Sequence, residues 1–536
     1  MNPDEGKPLF VVIILVWLHN KNTGIVNITH PNLCFARRFG WVILTIRNKC
    51  AIMVVMKKKI VGRTKEYARL DKCMREDVAQ LVLVYGRRRV GKTFLINHYY
   101  GNSFSFKLTG AYNKPKADQL HAFISELNRK TRRKMEAPSS WEQAFEMLRE
   151  YIESQDPDKK CVVFFDEMPW LDTHKSGFLS AFEYFWNDFG SSVDNLVFIV
   201  CGSATSWLVD NIEHNKGGLF NRQTCKLFLE PFSLSETEEY LISKGIHWSR
   251  YDITECYMIM GGIPYYLSLL DKEMSYLQNI DYLFFGKKAE LWDEFDHLYN
   301  TLFTKEENYI SVVRELSKRK NGLTREEISR ETGLALNGIL SKIIKNLVDS
   351  GFVRENQFFG KKKKDTLYQL ADYYSSFYFH YIWDNKGRDE HFWSNTLDAP
   401  TRKAWAGNMF EQVCKDHIKQ IKQKIGIQGI LSEESVWYIK TDKKLHTPGA
   451  QVDLIIDRRD RVIDLCEMIF SLGEYSIDKE YDQKLRKRME AFRKDSKTKK
   501  AVQMVFVTTY GVESNPYSGI VQKQITLEDL FKDIIE

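Results

Sequence analysis

The chain lacks the sequence features of secreted, zinc-binding and membrane proteins. Its nine cysteines are an odd number with no C-x-x-C spacing, which argues against a disulfide framework and against a zinc site. A reducing compartment, the cytoplasm, is therefore expected. The apolar run at residues 9–18 is ten residues long, whereas a membrane span needs roughly twenty. Asp4 and Glu5 precede that run where a signal peptide would carry basic residues, so neither secretion nor a membrane partner is predicted.

A strong net charge is also lacking. The formal charge is +7 over 536 residues, and residues 1–55 supply +4 of it, from six Lys or Arg against two acidic residues. An excess this small does not indicate an anionic partner. The length predicts several domains. Because Met56 opens MKKKIVGRTKEYARL, which looks like a natural beginning for the first domain, we interpret residues 1–55 as a non-native or disordered extension.

The stretch LVLVYGRRRVGKTFLI, residues 81–96, predicts a phosphate-binding loop between a buried strand and a helix. The two glycines let the backbone wrap around phosphate with its N–H groups turned inward, the lysine neutralises the terminal phosphates, and the threonine hydroxyl can ligate Mg²⁺. ATP and Mg²⁺ are therefore the expected cofactors. The predicted nucleotide-binding residues are Gly86, Arg87, Arg88, Arg89, Val90, Gly91, Lys92 and Thr93.

The three arginines in this loop need their own interpretation. Because backbone N–H groups bind the phosphate, the side chains of Arg87, Arg88 and Arg89 are not needed to contact the nucleotide. We therefore favour an outward-facing patch, exposed to solvent or to a partner, over direct phosphate contacts.

Two further apolar runs predict the neighbouring strands of a parallel sheet. CVVFFDEMPWLD begins at Cys161 and its strand ends in Asp166 and Glu167, and LVFIVCGSATSWL begins at Leu196. An acidic pair after an apolar run is by itself an ordinary strand end. Together with the complete G-x-x-x-x-G-K-T pattern upstream, Asp166 is predicted to hold Mg²⁺ and Glu167 to polarise the attacking water.

These motifs, with GGLFNRQT (217–224), LEPFS (229–233) and GGIPYYL (261–267), resemble the archaeal-type AAA+ ATPases of prokaryotes that carry a further C-terminal domain. The resemblance implies that Ser203, or its near neighbour Thr205, senses the terminal phosphate. It also implies that Arg222 is an arginine finger, supplied within the chain or to a neighbouring subunit of a homo-oligomer, with an ordinary surface arginine as the alternative. Residues 261–264 would close a helical lid over the nucleotide, or simply break a helix.

Residues 301–390 predict a winged helix-turn-helix. Thr324 and Glu327 form a capping box for its second helix, a third helix follows in LALNGILSKIIKNLVDSG, and two strands frame a basic tip at residues 361–364. The third helix would lie in a DNA major groove through Asn337, Ser341, Lys342 and Lys345, with the lysine tip on phosphate. Equally, the module would pack on the ATPase or on a protein partner, because a fold alone does not establish function.

The C-terminal residues 391–536 resemble the PD-(D/E)XK nuclease fold. An amphipathic helix carries Glu411, and a tight hairpin carries Asp453 and Glu467 nearly opposite one another, so all three would face one site for Mg²⁺. The family pattern E-x-K requires a lysine at position 469, where this chain has Ile469. Lys479 is the candidate substitute, and the domain is expected to be a weak or inactive nuclease.

The predicted fold class is α/β: a P-loop parallel sheet with a helical lid, a winged helix-turn-helix, and a C-terminal α/β nuclease-like domain. The predicted domains are residues 56–235 (ATPase core), 236–300 (lid), 301–390 and 391–536. The predicted function is an ATP-hydrolysing switch or motor whose C-terminal domains bind a protein or DNA. The alternatives are an ATP-dependent nuclease and a DNA-binding regulator that holds ATP without turnover.

Overall fold

The computed structural model describes residues 33–38, 41–46, 52–55, 60–101, 103–213, 217–303, 305–361, 365–385, 387–439 and 449–534. The chain divides into two units, residues 1–61 and residues 62–536. In the first unit, strands β1 (Leu33–Arg38), β2 (Trp41–Ile46) and β3 (Ile52–Val55) form one antiparallel sheet. The rest of the predicted extension lies outside the described residues, and its interpretation stays a prediction.

The second unit begins with α1 (Thr64–Arg75) and a parallel sheet of five strands. The strands lie in the order β5-β6-β7-β4-β8. Their bounds are β4 (Gln80–Tyr85), β5 (Phe106–Thr109), β6 (Cys161–Asp166), β7 (Leu196–Cys201) and β8 (Cys225–Phe228). Strands β6 and β7 are buried along their whole length, which is why each is an uninterrupted apolar run in the sequence. The predicted parallel sheet is confirmed.

Helices α2 (Lys92–Tyr100), α3 (Lys116–Thr131), α4 (Trp141–Glu153), α5 (Phe178–Asp188) and α6 (Thr205–Leu208) surround this sheet. Aromatic rings fill the space between the sheet and α4 and α5, with Phe145, Phe165 and Phe198 among them. The carboxyl ends of parallel strands meet at one edge, where ligand sites form in such sheets. That edge carries the ends of β4, β6 and β7.

Five helices follow the sheet: α7 (Leu234–Ser243), α8 (Arg250–Met260), α9 (Pro264–Ser268), α10 (Tyr276–Phe284) and α11 (Glu294–Leu302). Between α8 and α9, Gly261 and Gly262 have φ of 65° and 64°. A Cβ atom on Gly262 would lie 2.2 Å from the carbonyl oxygen of Phe232, so this tight turn requires glycine.

The next segment contains α12 (Glu306–Ser317), α13 (Arg325–Thr332), α14 (Gly338–Asp349) and the antiparallel strands β9 (Val353–Asn356) and β10 (Leu367–Leu370). The predicted capping box of Thr324 and Glu327 is confirmed. Helix α14, predicted as the DNA-reading helix, packs against α6 of the ATPase sheet. Most of the predicted lysine tip, residues 362–364, lies outside the described residues.

The C-terminal part has a second, mixed sheet in the order β11-β12-β13-β14-β15. Its strands are β11 (Ser432–Ile439), β12 (Ala450–Arg458), β13 (Val462–Ile469), β14 (Ala501–Thr508) and β15 (Val521–Thr526), and the first three are antiparallel. The helices are α15 (Tyr373–Phe377), α16 (Phe392–Asn395), α17 (Pro400–Asp416), α18 (Ile418–Lys424), α19 (Lys479–Ser496) and α20 (Leu527–Leu530). Helix α17 packs on β13, and α19 contacts β12.

None of the helices in the described ranges is both long enough and apolar enough to cross a membrane.

Candidate nucleotide-binding site

The phosphate loop begins where β4 ends, and its first glycine is required sterically. Gly86 has φ of 137°, and a Cβ atom there would lie 2.4 Å from the carbonyl oxygen of Leu229. Gly91, at the other end of the loop, has φ of 91° and directly precedes α2. Both positions use backbone conformations that other residues adopt at a cost. The loop therefore wraps as the glycine spacing predicted.

Lys92 lies inside this loop. Its Nζ atom donates hydrogen bonds to the carbonyl oxygens of Gly86 and Arg87, at 2.9 and 3.0 Å. The side chain is buried, and this burial lowers the pKa of the ammonium group. The nine-residue helix α2 begins at the same residue and directs its free N–H groups at the loop. The two features together make this loop a place for an anion.

Thr93 and Asp166 place two oxygen donors side by side. The Thr93 hydroxyl donates to Oδ1 of Asp166 at 3.0 Å. Burial, together with the charge of neighbouring Glu167, raises the pKa of the Asp166 carboxyl group. A carboxylate and a hydroxyl beside a phosphate loop are the donor set with which Mg²⁺ binds nucleotide. These two residues therefore fit the predicted metal.

Glu167 and Ser203 form a second polar pair at the same edge of the sheet. The carboxylate of Glu167 accepts from the Ser203 hydroxyl at 2.6 Å and from the Ser203 backbone N–H at 3.0 Å. Glu167 itself has φ of 46°, a left-handed conformation that turns its side chain out of the strand direction. Thr205, the alternative sensor, is buried, and its hydroxyl has no hydrogen-bond partner in the described part of the chain.

The three loop arginines differ from the expectation of an outward-facing patch. Arg87 is 4% exposed and forms an ion pair with Asp372 at 2.5 Å. Arg89 donates two hydrogen bonds to Glu294, at 3.1 and 2.9 Å. Arg88 is half-buried and donates to the hydroxyl of Thr301. The interpretation as an exposed patch is wrong, because each side chain has a partner that lies more than 200 residues further along the chain.

One residue at the loop was not anticipated from the sequence. Arg63, which directly precedes α1, has φ of 61° and donates to the carbonyl oxygen of Val90 at 3.1 Å. Its guanidinium also lies over the ring of Phe232, 4.9 Å from the centroid. The signal in the sequence is the Gly62-Arg63 pair before a helix, an unusual place for a buried arginine. Arg63 therefore holds the backbone of the phosphate loop at Val90.

Arg222 lies far from the loop of its own chain. It is exposed, and Thr224, two residues later, donates its backbone N–H to the carbonyl oxygen of Leu81 at 3.0 Å. Leu81 is at the amino end of β4, whereas the loop follows the carboxyl end, about 16 Å away at the rise of a parallel strand. This arrangement argues against an arginine finger supplied within the chain, while supply to a neighbouring subunit and the alternative of an ordinary surface arginine stay predictions.

The predicted nuclease-like residues form two groups. In the first, Lys320 lies between Glu411 and Asp453, with Nζ 2.7 Å from the Glu411 carboxylate and 3.6 Å from that of Asp453. Burial raises the pKa of Glu411 to about 8, and the charge of Asp453 adds to this shift. Burial also lowers the pKa of nearby Lys415, to about 8. The structure thus brings Glu411 and Asp453 together around a lysine ammonium.

The second group contains Glu467, which the structure does not bring to Asp453. Its carboxylate accepts from the Tyr481 hydroxyl at 2.5 Å and pairs with Arg488, both on α19. The reason is a β-bulge. Val452 and Ile455 are three residues apart yet pack in the same core with α19, and the register between β11 and β12 shifts by one there. Asp453 is turned away from the Glu467 face, and Lys479 is exposed at the start of α19.

The parallel five-stranded sheet and the phosphate loop at its edge are typical of a P-loop ATPase. Within the chain, residues 60–270 match the model of an ATPase domain family found predominantly in Archaea. The match contains the phosphate loop, the Asp166 and Glu167 pair, and the turn at Gly261 and Gly262.

Other similarities extend over more of the chain than the family match does. The chain is 25% identical over 406 residues to an uncharacterized protein of Methanocaldococcus jannaschii, covering 74% of this chain and 83% of that protein. Among solved structures, it is similar to the Walker-type ATPase of Pyrococcus abyssi (17% identity, TM-score 0.42, 60% of this chain and 96% of that one). It is also similar to the ORC2 protein of Aeropyrum pernix (14% identity, TM-score 0.38, 61% of this chain and 94% of that one).

Proposed function

We propose that the chain binds ATP with Mg²⁺ at residues 86–93 and hydrolyses it, acting as a switch whose C-terminal domains serve a partner. The observation that carries this proposal is the pairing of functional groups at one sheet edge. Lys92, the Thr93–Asp166 pair and the Glu167–Ser203 pair follow the ends of three neighbouring strands. Few structural roles need a buried lysine, two adjacent carboxylates and a glycine-bounded anion site together.

The chemistry assigned to these residues is hydrolysis of the terminal phosphate. Mg²⁺ at Thr93 and Asp166 would neutralise charge on the β- and γ-phosphate oxygens. Lys92 exchanges its two carbonyl partners for phosphate oxygens. Glu167 accepts a proton from water as the water oxygen bonds to the γ-phosphorus and the bond to the β-γ bridging oxygen breaks, giving ADP and phosphate. Ser203 holds Glu167 until nucleotide arrives and then contacts the γ-phosphate or the water.

Packing of α14 on the ATPase sheet of its own chain is favoured over DNA as the direct contact of this helix. Lys345 of α14 pairs with Asp210 of the turn after α6 at 2.8 Å, and Asn337 caps the helix with its side chain. Two of the side chains expected to contact DNA are thus engaged within the chain. DNA binding through this segment requires its release from the ATPase sheet.

The nuclease alternative has less support. Lys320 takes up the charge of Glu411 and Asp453, Glu467 has partners on α19, and position 469 is isoleucine. Losing a pre-placed cation at a developing charge typically costs roughly 10²–10³ in rate.

The seven described cysteines are all free and buried, in keeping with the proposed cytoplasmic location.

A binding experiment tests the nucleotide site. Lys92→Ala should abolish binding of a fluorescent ATP analogue in the presence of Mg²⁺, because the loop loses its only buried ammonium among the described residues of 86–93. Lys159→Ala, which changes an 81%-exposed lysine of the same domain, serves as the matched control and should bind like wild type. Equal affinity in Lys92→Ala and wild type would place the nucleotide elsewhere.

A further inference from the structure

The loop arginines connect the phosphate site to helices that lie beyond the ATPase family match. The partners Glu294, Thr301 and Asp372 all follow residue 270, where the match ends. The side chains of Arg87 and Asp372 are 4% and 6% exposed, and Glu294 is 5% exposed. The Arg87–Asp372 pair is thus buried on both sides, and the Arg89–Glu294 pair is buried at its carboxylate, while Arg89 is 29% exposed. Loss of one partner leaves an uncompensated charge where the other partner is buried.

The two carboxylate oxygens of Asp372 contact two different parts of the chain. Its Oδ1 pairs with Arg87, while its Oδ2 accepts the backbone N–H of Ser375 at 2.9 Å and caps the start of α15. Burial opposes the charge on Arg87, but the pKa of its guanidinium is raised because Asp372 lies beside it. A movement of the loop at Arg87 therefore reaches the first turn of α15 directly.

Glu294 likewise joins several elements. Besides the two bonds from Arg89, its carboxylate accepts from the Tyr266 hydroxyl at 3.2 Å, so α9 and α11 meet at one carboxylate. Arg89 also lies over the ring of Tyr265, 4.0 Å from the centroid. The fork geometry of an arginine on a carboxylate fixes direction as well as distance.

The backbone of this loop is the part that wraps phosphate, and Arg87 and Arg89 are fixed to it covalently. When the loop adjusts to phosphate, these two side chains must either move their partners or break their ion pairs. Conversely, when α11 or α15 shifts, the loop backbone is pulled away from its phosphate-binding shape. Nucleotide binding at the loop and the positions of α11 and α15 are therefore energetically linked, so that a change in either one affects the other.

We propose that Asp372 and Glu294 are positioning residues for nucleotide binding, and that the Arg87–Asp372 and Arg89–Glu294 pairs couple nucleotide occupancy to the C-terminal half of the chain. The inference rests on the proposed ATP site and adds to it the route by which the C-terminal domains sense nucleotide. The ATPase segment alone, residues 60–270, lacks both carboxylates that hold its loop arginines.

Charge-neutralising variants of full-length protein test the coupling. Asp372→Asn keeps a side chain that caps a helix, and Glu294→Gln keeps the acceptor for Tyr266, so each removes chiefly the charge opposite an arginine. Arg89→Lys, at a side chain 29% exposed, keeps the charge but loses the fork. Glu255→Gln is the matched control, because Glu255 partners the buried Arg402 at 3.4 Å on α8 and α17, away from the loop.

Two readouts are measured: affinity for a non-hydrolysable ATP analogue with Mg²⁺, and amide hydrogen exchange of residues 373–382 with and without it. In wild type the analogue should slow exchange in this segment. In Asp372→Asn and Glu294→Gln affinity should fall about tenfold, within the usual range of coupling between sites, and the slowing should be lost. Arg89→Lys should bind the analogue more weakly than wild type does, yet its thermal unfolding temperature should equal that of wild type. Weaker binding at unchanged thermal stability separates a loss of coupling from a loss of folding.

The outcomes separate this inference from the proposed function. If wild type binds the analogue and the three variants bind it within twofold of wild type with unchanged exchange, the coupling is wrong and the ATP site stands. If Glu255→Gln weakens binding as much as Asp372→Asn, the effect is general destabilisation and the coupling is again wrong. If wild type binds no nucleotide, the proposed function fails, and the coupling fails with it.

Discussion

At the scale of single residues, His417 joins the helix after the ATPase sheet to α17. Its Nε2 atom accepts the backbone N–H of Leu234 at 3.0 Å, and its Nδ1 atom lies 2.7 Å from the carbonyl oxygen of Val413. The ring must therefore be neutral with its proton on Nδ1. Burial lowers the pKa of His417 below the ordinary 6.5, and the nearby Asp416 charge does not offset this.

This lowered pKa predicts a loss of stability in mild acid. His417 takes up a proton near pH 6.5 in the unfolded chain and only at lower pH in the folded chain. The contribution of the neutral ring to the free energy of unfolding is therefore complete above pH 6.5 and is lost as the pH falls toward the folded pKa. Urea unfolding at pH 7.5 and pH 5.5 measures it, with His417→Gln as comparison. Wild type should lose more free energy of unfolding than the variant over this interval, and equal losses would contradict the account.

Single residues also show which parts of the candidate site could be predicted from the sequence and which could not. The shape of the loop around Lys92 and Thr93 was predictable because local glycine spacing sets it, and the place of Asp166 beside Thr93 was predictable because parallel strands end at one edge of the sheet. Their roles toward nucleotide stay predictions. The partners of Arg87 and Arg89 were not predictable, because Asp372 and Glu294 meet them only through tertiary packing of helices more than 200 residues away. The local sequence gives one indication of such partners: a phosphate loop does not need three adjacent arginines to bind phosphate.

At the scale of elements, α14 and the β12–β13 hairpin were predicted as elements but not in their orientation. The hairpin bounds match the sequence pattern, with β12 ending at Arg458 and β13 beginning at Val462. The side of the sheet that Asp453 faces depends on a single-residue bulge, which alternation of apolar and polar residues does not reveal. In the same way, an amphipathic helix shows that one face is buried, but not against what.

The packing of α14 predicts weak dependence of DNA binding on salt. If α14 and the lysine tip were free, each neutralised phosphate would add about −0.9 to the slope of log affinity against log salt. Because α14 packs against α6 and Lys345 pairs with Asp210, we expect a shallow slope in wild type, left unchanged by Lys342→Ala. Binding of a duplex across a salt series measures this. A steep slope that Lys342→Ala flattens by about one unit would restore the DNA-reading interpretation.

At the scale of the whole molecule, the interpretation of Arg222 as an arginine finger predicts that ATP hydrolysis depends on neighbouring copies of the chain. Since Arg222 lies at the amino edge of the sheet, it cannot reach the loop of its own chain, and an arginine finger acting in trans is worth roughly 10³–10⁵ in rate. Arg222→Ala and Lys92→Ala should each be inactive alone. Mixing the two should recover ATP hydrolysis, because the intact loop of one copy meets the intact arginine of the other.

The matched control for this mixing experiment is Arg133→Ala, which changes an exposed arginine after α3. It should hydrolyse ATP like wild type without mixing. Arg222→Ala that hydrolyses ATP at the wild-type rate would show that Arg222 is an ordinary surface arginine. Two inactive variants that stay inactive when mixed would rule out the supply of this residue between copies.

The most direct test of the central claim is ATP binding and turnover by Glu167→Gln in full-length protein. The amide cannot accept the proton of the attacking water but still accepts from Ser203, so ATP should bind with wild-type affinity while turnover falls at least about 100-fold. Glu153→Gln, at an exposed carboxylate of α4, should leave both unchanged. Turnover in Glu167→Gln equal to that of wild type would contradict the role of Glu167 and, with it, the proposed hydrolytic site.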